Sequence, residues 1–124
     1  MQPLFTIKGV VSKGKERGRL LGYPTANIKL DKTIPVGIYT SEVFLNEKTY
    51  KAATFVGIAK TFHESEYVLE SYILDFNENI YGKEITVKLY EKIRGNIKFA
   101  SEESLIAQIK NDVEFTRRFF DLHK

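Results

Sequence analysis

The feature that most limits the fold is a succession of short strand-like runs that ends in one helix-like segment. Apolar and polar residues alternate along five runs, which are rich in β-branched and aromatic side chains: residues 4–12, 37–45, 49–57, 67–76 and 84–93. Such alternation is typical of half-buried strands. Asn46 and Glu47 separate two of the runs and fit a tight hairpin turn. Short strands followed by one helix predict an all-β-dominated fold, an antiparallel barrel closed by a helix.

The helix is predicted over about residues 101–122. Ser101 suits the N-cap, and Glu102 and Glu103 follow in the first turn, where the helix dipole favours anions. Apolar residues then recur at roughly helical spacing, namely Leu105, Ile109, Val113 and Phe120. Because such a stripe is typical of a helix that packs on a sheet, we expect it to serve the core rather than a ligand.

Composition places the chain among folded single-domain proteins, and we take residues 1–124 as that domain. There is no cysteine, which excludes a disulfide framework and a thiolate site, and the two histidines, His63 and His123, are far apart. No apolar run approaches the length of a membrane span, and the N-terminus lacks the apolar region of a signal peptide. We therefore expect a cytoplasmic monomer with no membrane partner.

Positive charge is concentrated near the N-terminus. Residues 1–30 hold six lysines and arginines against a single acid, Glu16, although the net charge of the whole chain is only +3. Such a segment suits an anionic ligand and is equally typical of a solvated face. Together with the abundant Tyr and Phe, it also motivates a rival hypothesis, a small basic barrel that binds RNA.

A basic loop with regularly spaced glycines follows the first strand-like run. Glycines stand at positions 9, 14, 18 and 22, and the stretch from Gly9 to Glu16 approaches the P-loop pattern. A P-loop ends in Ser or Thr and opens a helix, whereas this stretch ends in Glu16 and is followed by Pro24 and β-like residues. We therefore reject a P-loop here.

Thr25 and Asn27 follow Pro24 and lie two residues apart. Pro24 fixes its own φ and keeps Tyr23 out of the helical region, so we expect an extended segment. In an extended chain Thr25 and Asn27 point the same way, which places a hydroxyl beside an amide oxygen. Mg²⁺ takes a few protein oxygens and completes its shell with phosphates and water. The pattern fits a seat for a divalent cation and a polyphosphate, and it also fits ordinary turn residues entering a strand.

Residues 18–27, Gly-Arg-Leu-Leu-Gly-Tyr-Pro-Thr-Ala-Asn, resemble the signature of the riboflavin kinase (flavokinase) family. The resemblance covers nearly the whole chain and includes several further matches: Glu70 and Phe76, Tyr81-Gly82-Lys83, Arg94 with Lys98-Phe99, and Gln108-Ile109 with Asp112. It implies a closed Greek-key barrel of about six antiparallel strands with a C-terminal helix across it. It also implies a kinase that uses ATP and Mg²⁺, or another divalent metal, to convert riboflavin to FMN, with no nucleic-acid partner.

The resemblance is to the kinase half of bacterial bifunctional enzymes. The adenylyltransferase domain of those enzymes has no counterpart in these 124 residues. We therefore expect either a stand-alone kinase or an excised kinase domain, which makes FMN and does not itself make FAD.

The resemblance further implies roles for single residues. The nucleotide side comprises five of them: Gly14, Gly18, Arg19, Thr25 and Asn27. Thr25 and Asn27 would hold the metal, and the loop that carries the glycines and Arg19 would cover the ATP phosphates. Glu70 would be the catalytic base, a choice that composition alone does not make among the 16 acids. The flavin ring system would lie along a further set: Ile73, Asp75, Tyr81 and Arg94.

Departures from the family pattern are concentrated in the implied flavin half. The segment 55–62, Phe-Val-Gly-Ile-Ala-Lys-Thr-Phe, replaces the family's Asn-Ile-Gly-x-Arg-Pro-Thr-Phe, and Gly95-Asn96 replaces Pro-Glu. Tyr72 stands where the family has His. The first two changes motivate an alternative, a flavin-binding module without catalysis. Asp75, on the same predicted strand as Glu70, is the next candidate for the base.

Overall fold

Six antiparallel strands and a C-terminal helix form the part of the chain that the computed structural model describes, residues 1–12, 25–60, 65–96 and 99–123. The elements in chain order are β1 (Phe5–Val10), β2 (Thr25–Lys29), β3 (Gly37–Leu45), β4 (Lys48–Lys60), β5 (Ser65–Ile73), β6 (Glu84–Arg94) and α1 (Glu102–Leu122). No helix in the described ranges is long and apolar enough to span a membrane.

The strands form one sheet in the order β1-β6-β3-β4-β5-β2, with every neighbouring pair antiparallel. Strands β3, β4 and β5 are consecutive neighbours, and β6 returns to lie beside β3, which is the Greek-key arrangement. Register shifts in the β3–β6 pair fall between Ile38 and Tyr39 and between Thr40 and Ser41. Irregularities of this kind bend strands and help the sheet to curl. The predicted Greek-key architecture is confirmed.

The two edge strands of the curled sheet meet at a short seam. Ser12 forms an isolated antiparallel bridge with Asn27, and its backbone N–H donates to the Asn27 carbonyl oxygen at 2.7 Å. Gly9 of β1 lies against Ile28 of β2, and a Cβ at Gly9 would lie 2.5 Å from the Ile28 Cγ2 atom. The seam therefore depends on a residue without a side chain at position 9.

Alternation along the strands separates an inner core from an outer layer under the helix. The inner cluster includes Ala26 and Ile28 of β2 and Leu69 and Ile73 of β5. The outer cluster joins Ala53, Tyr72 and Leu74 of the sheet region to two residues of α1: Ile109 and Val113. Since successive side chains point to opposite faces, Thr25, Asn27 and Glu70 lie on the outer face of the sheet.

Local structure agrees with most of the predicted elements. Strand β3 has the predicted bounds, and Asn46 and Glu47 form a two-residue turn with φ of 51° and 64°. Ser101 caps the helix, accepting a hydrogen bond from the Ser104 backbone N–H at 3.1 Å.

Two predicted strand ends were wrong. Strand β4 continues to Lys60, beyond the predicted end at residue 57. Strand β5 ends at Ile73, not at residue 76, because the chain turns at Leu74 and Asp75, where Asp75 takes a φ of 57°. Asp75 is therefore not on the strand that carries Glu70.

Candidate active site

Three buried side chains that carry oxygen lie together on the outer face of the β2–β5 pair. Asn27 is directly opposite Glu70, and Thr25 is directly opposite Tyr72. Directly opposite residues of antiparallel strands project to the same face, with Cβ atoms about 4.5–5.5 Å apart. Thr25 is 8% exposed, Asn27 5% and Glu70 3%. The pairing therefore places a hydroxyl, a carboxamide and a carboxylate in one protected row.

Asn27 has hydrogen-bonding capacity that its described surroundings do not use. Its backbone oxygen accepts from Ser12, but its side-chain Nδ2 has no hydrogen-bond partner within residues 1–12, 25–60, 65–96 and 99–123. A buried polar group of this kind costs about 1–3 kcal/mol. Such groups call for a ligand, ion or water that completes their bonding. The Asn27 carboxamide is thus suited to contact a bound group.

The donor set in this row fits a magnesium ion. Hydroxyl, amide and carboxylate oxygens are the ligands that hard cations prefer, and Mg²⁺ usually takes only one or two protein groups beside substrate phosphates. In the described ranges, no three His, Cys, Asp or Glu residues cluster to hold a metal by themselves. A cation at this row would be held by the Thr25 hydroxyl and the Asn27 amide oxygen together with phosphate oxygens.

A cavity of about 180 Å³ lies between the sheet and the start of α1. Its wall includes the aromatic side chains of Phe55, Tyr72 and Phe99, the guanidinium of Arg94 and the apolar side chain of Ile109. Tyr72 connects the cavity to the polar row, because it lies two residues after Glu70 and therefore on the same face of β5. The arrangement combines a chamber lined by aromatic side chains and a guanidinium with a carboxylate nearby.

Arg94 forms part of the cavity wall, and Asp112 of α1 holds its guanidinium. Its Nε donates to Asp112 Oδ1 at 3.0 Å and its Nη2 to Asp112 Oδ2 at 2.8 Å, a two-pronged ion pair. Its Nη1 donates to the Gly95 carbonyl oxygen at 3.1 Å, and the Phe99 ring centroid lies 5.8 Å from its Cζ atom. In the sequence Asp112 is only part of a motif match, and no local pattern predicts its contact with Arg94.

The structure brings only one of the four implied flavin residues to the cavity. Ile73 is fully buried in the inner core, on the face of β5 opposite to Glu70. Asp75 is exposed in the turn after β5 and pairs with Arg117, whose hydrogen bonds hold the pKa of the Asp75 carboxyl below its ordinary value. Tyr81 is 42% exposed in the turn before β6. Of these four residues, only Arg94 lines the chamber.

Two of the five implied nucleotide residues lie in the part of the chain that the structure describes. Thr25 and Asn27 lie in the buried row, whereas Gly14, Gly18 and Arg19 fall outside the described residues. The expected loop over the ATP phosphates therefore stays a prediction.

Two departures from the family pattern lie at the cavity. Phe55 and Asn96 both contribute to its wall. Gly57 lies under both of them, since a Cβ there would be 2.5 Å from Phe55 Cζ and 2.9 Å from Asn96 Nδ2. These two substitutions therefore change the wall of one chamber.

Known proteins resemble the chain over most of its length. The flavokinase family model, described as riboflavin kinase, matches residues 1–120. A trifunctional protein RibF/MnmA of Mycoplasmoides gallisepticum is 42% identical over 94% of this chain and 18% of its own length. A bifunctional riboflavin kinase/FMN adenylyltransferase of Listeria monocytogenes is 41% identical over 94% of this chain and 38% of its own length. The chain thus spans well under half of either of these two proteins.

A solved structure of a riboflavin kinase also resembles the chain. The riboflavin kinase of Trypanosoma brucei is 30% identical, with a TM-score of 0.64 over 98% of this chain and 82% of that one. Sequence and fold therefore agree that the chain belongs to the riboflavin kinase (flavokinase) family.

Proposed function

We propose that the chain is an ATP-dependent riboflavin kinase, which transfers the γ-phosphate of ATP to the ribityl 5′-hydroxyl of riboflavin to give FMN. The observation that carries the proposal is the register of the β2–β5 pair, which places Glu70 opposite Asn27 and beside the Tyr72 wall of the cavity. Family membership supports the substrates, because riboflavin kinases use ATP and a flavin.

Glu70 is assigned the role of general base. The ribityl oxygen would attack the γ-phosphorus in line, the bond from that phosphorus to the bridging oxygen of ADP would break, and the hydroxyl proton would pass to the Glu70 carboxylate. A buried carboxylate on a strand suits this role, because the paired backbones of β2, β4 and β5 restrict its movement.

Thr25 and Asn27 are assigned to the metal and nucleotide. When bound, Mg²⁺ would supply positive charge to the phosphates. The side chains themselves orient the polyphosphate relative to Glu70, because all three project from one face of one strand pair.

The cavity is assigned to the flavin ring system. Its aromatic side chains offer flat surfaces for stacking, and Arg94 offers N–H donors to ring oxygens and nitrogens. A ring placed here would direct its ribityl chain toward the polar row past Tyr72, since Tyr72 lines the cavity and is directly opposite Thr25 of the row.

A flavin-binding module without catalysis is the second candidate. It is favoured by one observation, that the substituted residues Phe55 and Asn96 both line the chamber. The RNA-binding hypothesis has less support, because Phe55 and Tyr72 are buried at a cavity rather than displayed on a barrel face. We further propose a cytoplasmic monomer.

The deciding experiment is incubation of the chain with riboflavin, ATP and Mg²⁺, followed by chromatography for FMN. We expect FMN to accumulate with time and to require ATP. Riboflavin binding without any FMN, tested across several divalent metals, would overturn the kinase proposal in favour of the binding module.

A further inference from the structure

Asp112 carries a carboxylate that is 1% exposed on the side of α1 that faces the sheet. Burial of a charged group is costly unless it is paired and hydrogen-bonded. Asp112 meets this requirement with both prongs of the Arg94 guanidinium and with Gln108, whose Nε2 donates to Asp112 Oδ1 at 3.2 Å. Gln108 and Asp112 are four residues apart and therefore lie on one face of the helix.

The geometry fixes the orientation of Arg94 at the cavity. A guanidinium has five N–H bonds in a rigid plane. Contacts with the described residues use three of them, two to Asp112 and one to the Gly95 carbonyl oxygen. The side chain remains 16% exposed and forms part of the cavity wall. As far as the described ranges go, two N–H bonds can therefore donate to a molecule in the chamber.

We infer that Asp112 is a positioning residue for flavin recognition: it holds the guanidinium of Arg94 in the plane from which Arg94 donates to the ring system. This inference rests on the proposed function, since it takes riboflavin as the occupant of the cavity. Gln108 supports the same carboxylate from the preceding helical turn. Without Asp112, Arg94 would keep its charge but would sample several rotamers. Each hydrogen bond from Arg94 to the flavin would then cost more side-chain conformational entropy.

A purely structural role predicts different behaviour, so binding must be measured apart from stability. The primary variant is Asp112→Asn, which keeps the shape and one acceptor oxygen but removes the charge. Arg94→Gln and the Asp112→Asn/Arg94→Gln double variant complete a cycle. Glu114→Gln is the matched control, because Glu114 lies on the same helix, is exposed and pairs only loosely with Arg118 at 3.9 Å.

We expect Asp112→Asn to weaken riboflavin binding roughly tenfold, as measured by flavin fluorescence, with a matching rise in KM for riboflavin. KM for ATP should not change. In the Arg94→Gln background, adding Asp112→Asn should have no further effect on riboflavin affinity, because the group it positions is gone. Glu114→Gln should bind riboflavin as the unaltered chain does.

Two results would overturn the inference. One is a lower unfolding temperature for Asp112→Asn with unchanged riboflavin affinity in the folded protein; the other is an equal loss of affinity with and without Arg94. Should Asp112→Asn not fold, Gln108→Met tests the same chain of contacts, and it should weaken riboflavin binding to a smaller degree. Unchanged riboflavin affinity in that variant would count against the inference.

The outcomes also separate this inference from the proposed function. Riboflavin binding that depends on Asp112, without FMN formation, would support the positioning role and overturn only the kinase proposal. Failure of the unaltered chain to bind riboflavin would overturn both.

Discussion

Asn27 and Glu70 face each other across the β2–β5 pair, and both side chains are almost completely buried. They are 43 positions apart in the sequence, so it is the pairing of β2 with β5 that brings them together. It unites the residue implied for metal binding with the residue implied for proton transfer.

Glu70→Gln should lower kcat by about 10²–10⁴-fold, because it removes the carboxylate that accepts the hydroxyl proton and keeps nearly the same shape. ATP binding and the circular dichroism spectrum should remain close to those of the unaltered chain. Steady-state FMN formation measures the effect. Glu66→Gln is the control, since Glu66 is on the same strand but forms a more exposed ion pair with Lys29 at the end of β2.

An equal rate for Glu70→Gln and the unaltered chain would assign the base elsewhere. Asp75, the alternative from the sequence, is then a poor replacement. It is exposed, it lies beyond the end of β5, and Arg117 holds its pKa low, which weakens it as a base.

Thr25→Ala or Asn27→Ala should raise the Mg²⁺ concentration that gives half-maximal activity, by roughly tenfold if each removes about 1.4 kcal/mol of binding. The reason is that each deletes one oxygen donor near the phosphates. Riboflavin binding without nucleotide should be unaffected. A magnesium titration of FMN formation makes the measurement, with Lys29→Ala, at the exposed end of β2, as the control. Identical metal dependence in both variants would show that the Thr25–Asn27 assignment is wrong.

Gly9→Ala should destabilise the fold by about 1–3 kcal/mol, because the added Cβ would lie 2.5 Å from Ile28 Cγ2 at the seam. Urea unfolding measures the change. In an Ile28→Ala background the same substitution should cost less than about 0.5 kcal/mol, since its steric partner is gone. Gly95→Ala is the control, because no heavy atom lies within 4 Å of a Cβ built there. Equal costs in the two backgrounds would contradict close contact at the seam.

Tyr90 should make stability depend on pH in the alkaline range. Burial raises the pKa of the Tyr90 hydroxyl, and so does its hydrogen bond to Glu42. The unfolded chain loses this proton near pH 10, whereas the folded chain retains it to higher pH. Above about pH 10 the unfolded state therefore binds fewer protons, and the free energy of unfolding falls as pH rises.

Tyr90→Phe should remove that part of the alkaline slope. Urea unfolding of both proteins at several pH values from neutral to about pH 11 gives the comparison, and titration of lysines cancels in the difference. Parallel slopes for Tyr90→Phe and the unaltered chain would rule out this linkage.

The parts of the secondary structure that could be predicted are those set by residues close together in the sequence. The bounds of β3, the Asn46–Glu47 turn and the Ser101 cap all follow from side chains within a few residues of one another. The end of β5 could not be predicted from nearby residues. Asp75 turns there with a positive φ and hydrogen-bonds to Arg117, which is 42 positions away. An alternation pattern contains no information about such a partner.

Alternation also divides each strand into two faces without saying which face is inside. Ser41, Thr54 and Ser71 are polar and would be expected outside, yet they lie fully buried and hydrogen-bond to one another across three strands. Glu70 and Ile73 are three residues apart on β5 and lie on opposite faces of it, Ile73 in the inner core. Only the strand order reveals these groupings.

The sequence by itself determined the type of each element, the chain's family resemblance and the residue types available for chemistry, because these depend on neighbours along the chain. Tertiary structure decided which of those residues meet. It placed Glu70 opposite Asn27, left Ile73 in the core and joined Arg94 to Asp112. The physical reason is that strand register and helix docking are set by the summed packing of the whole sheet, and that sum is not readable from any one segment.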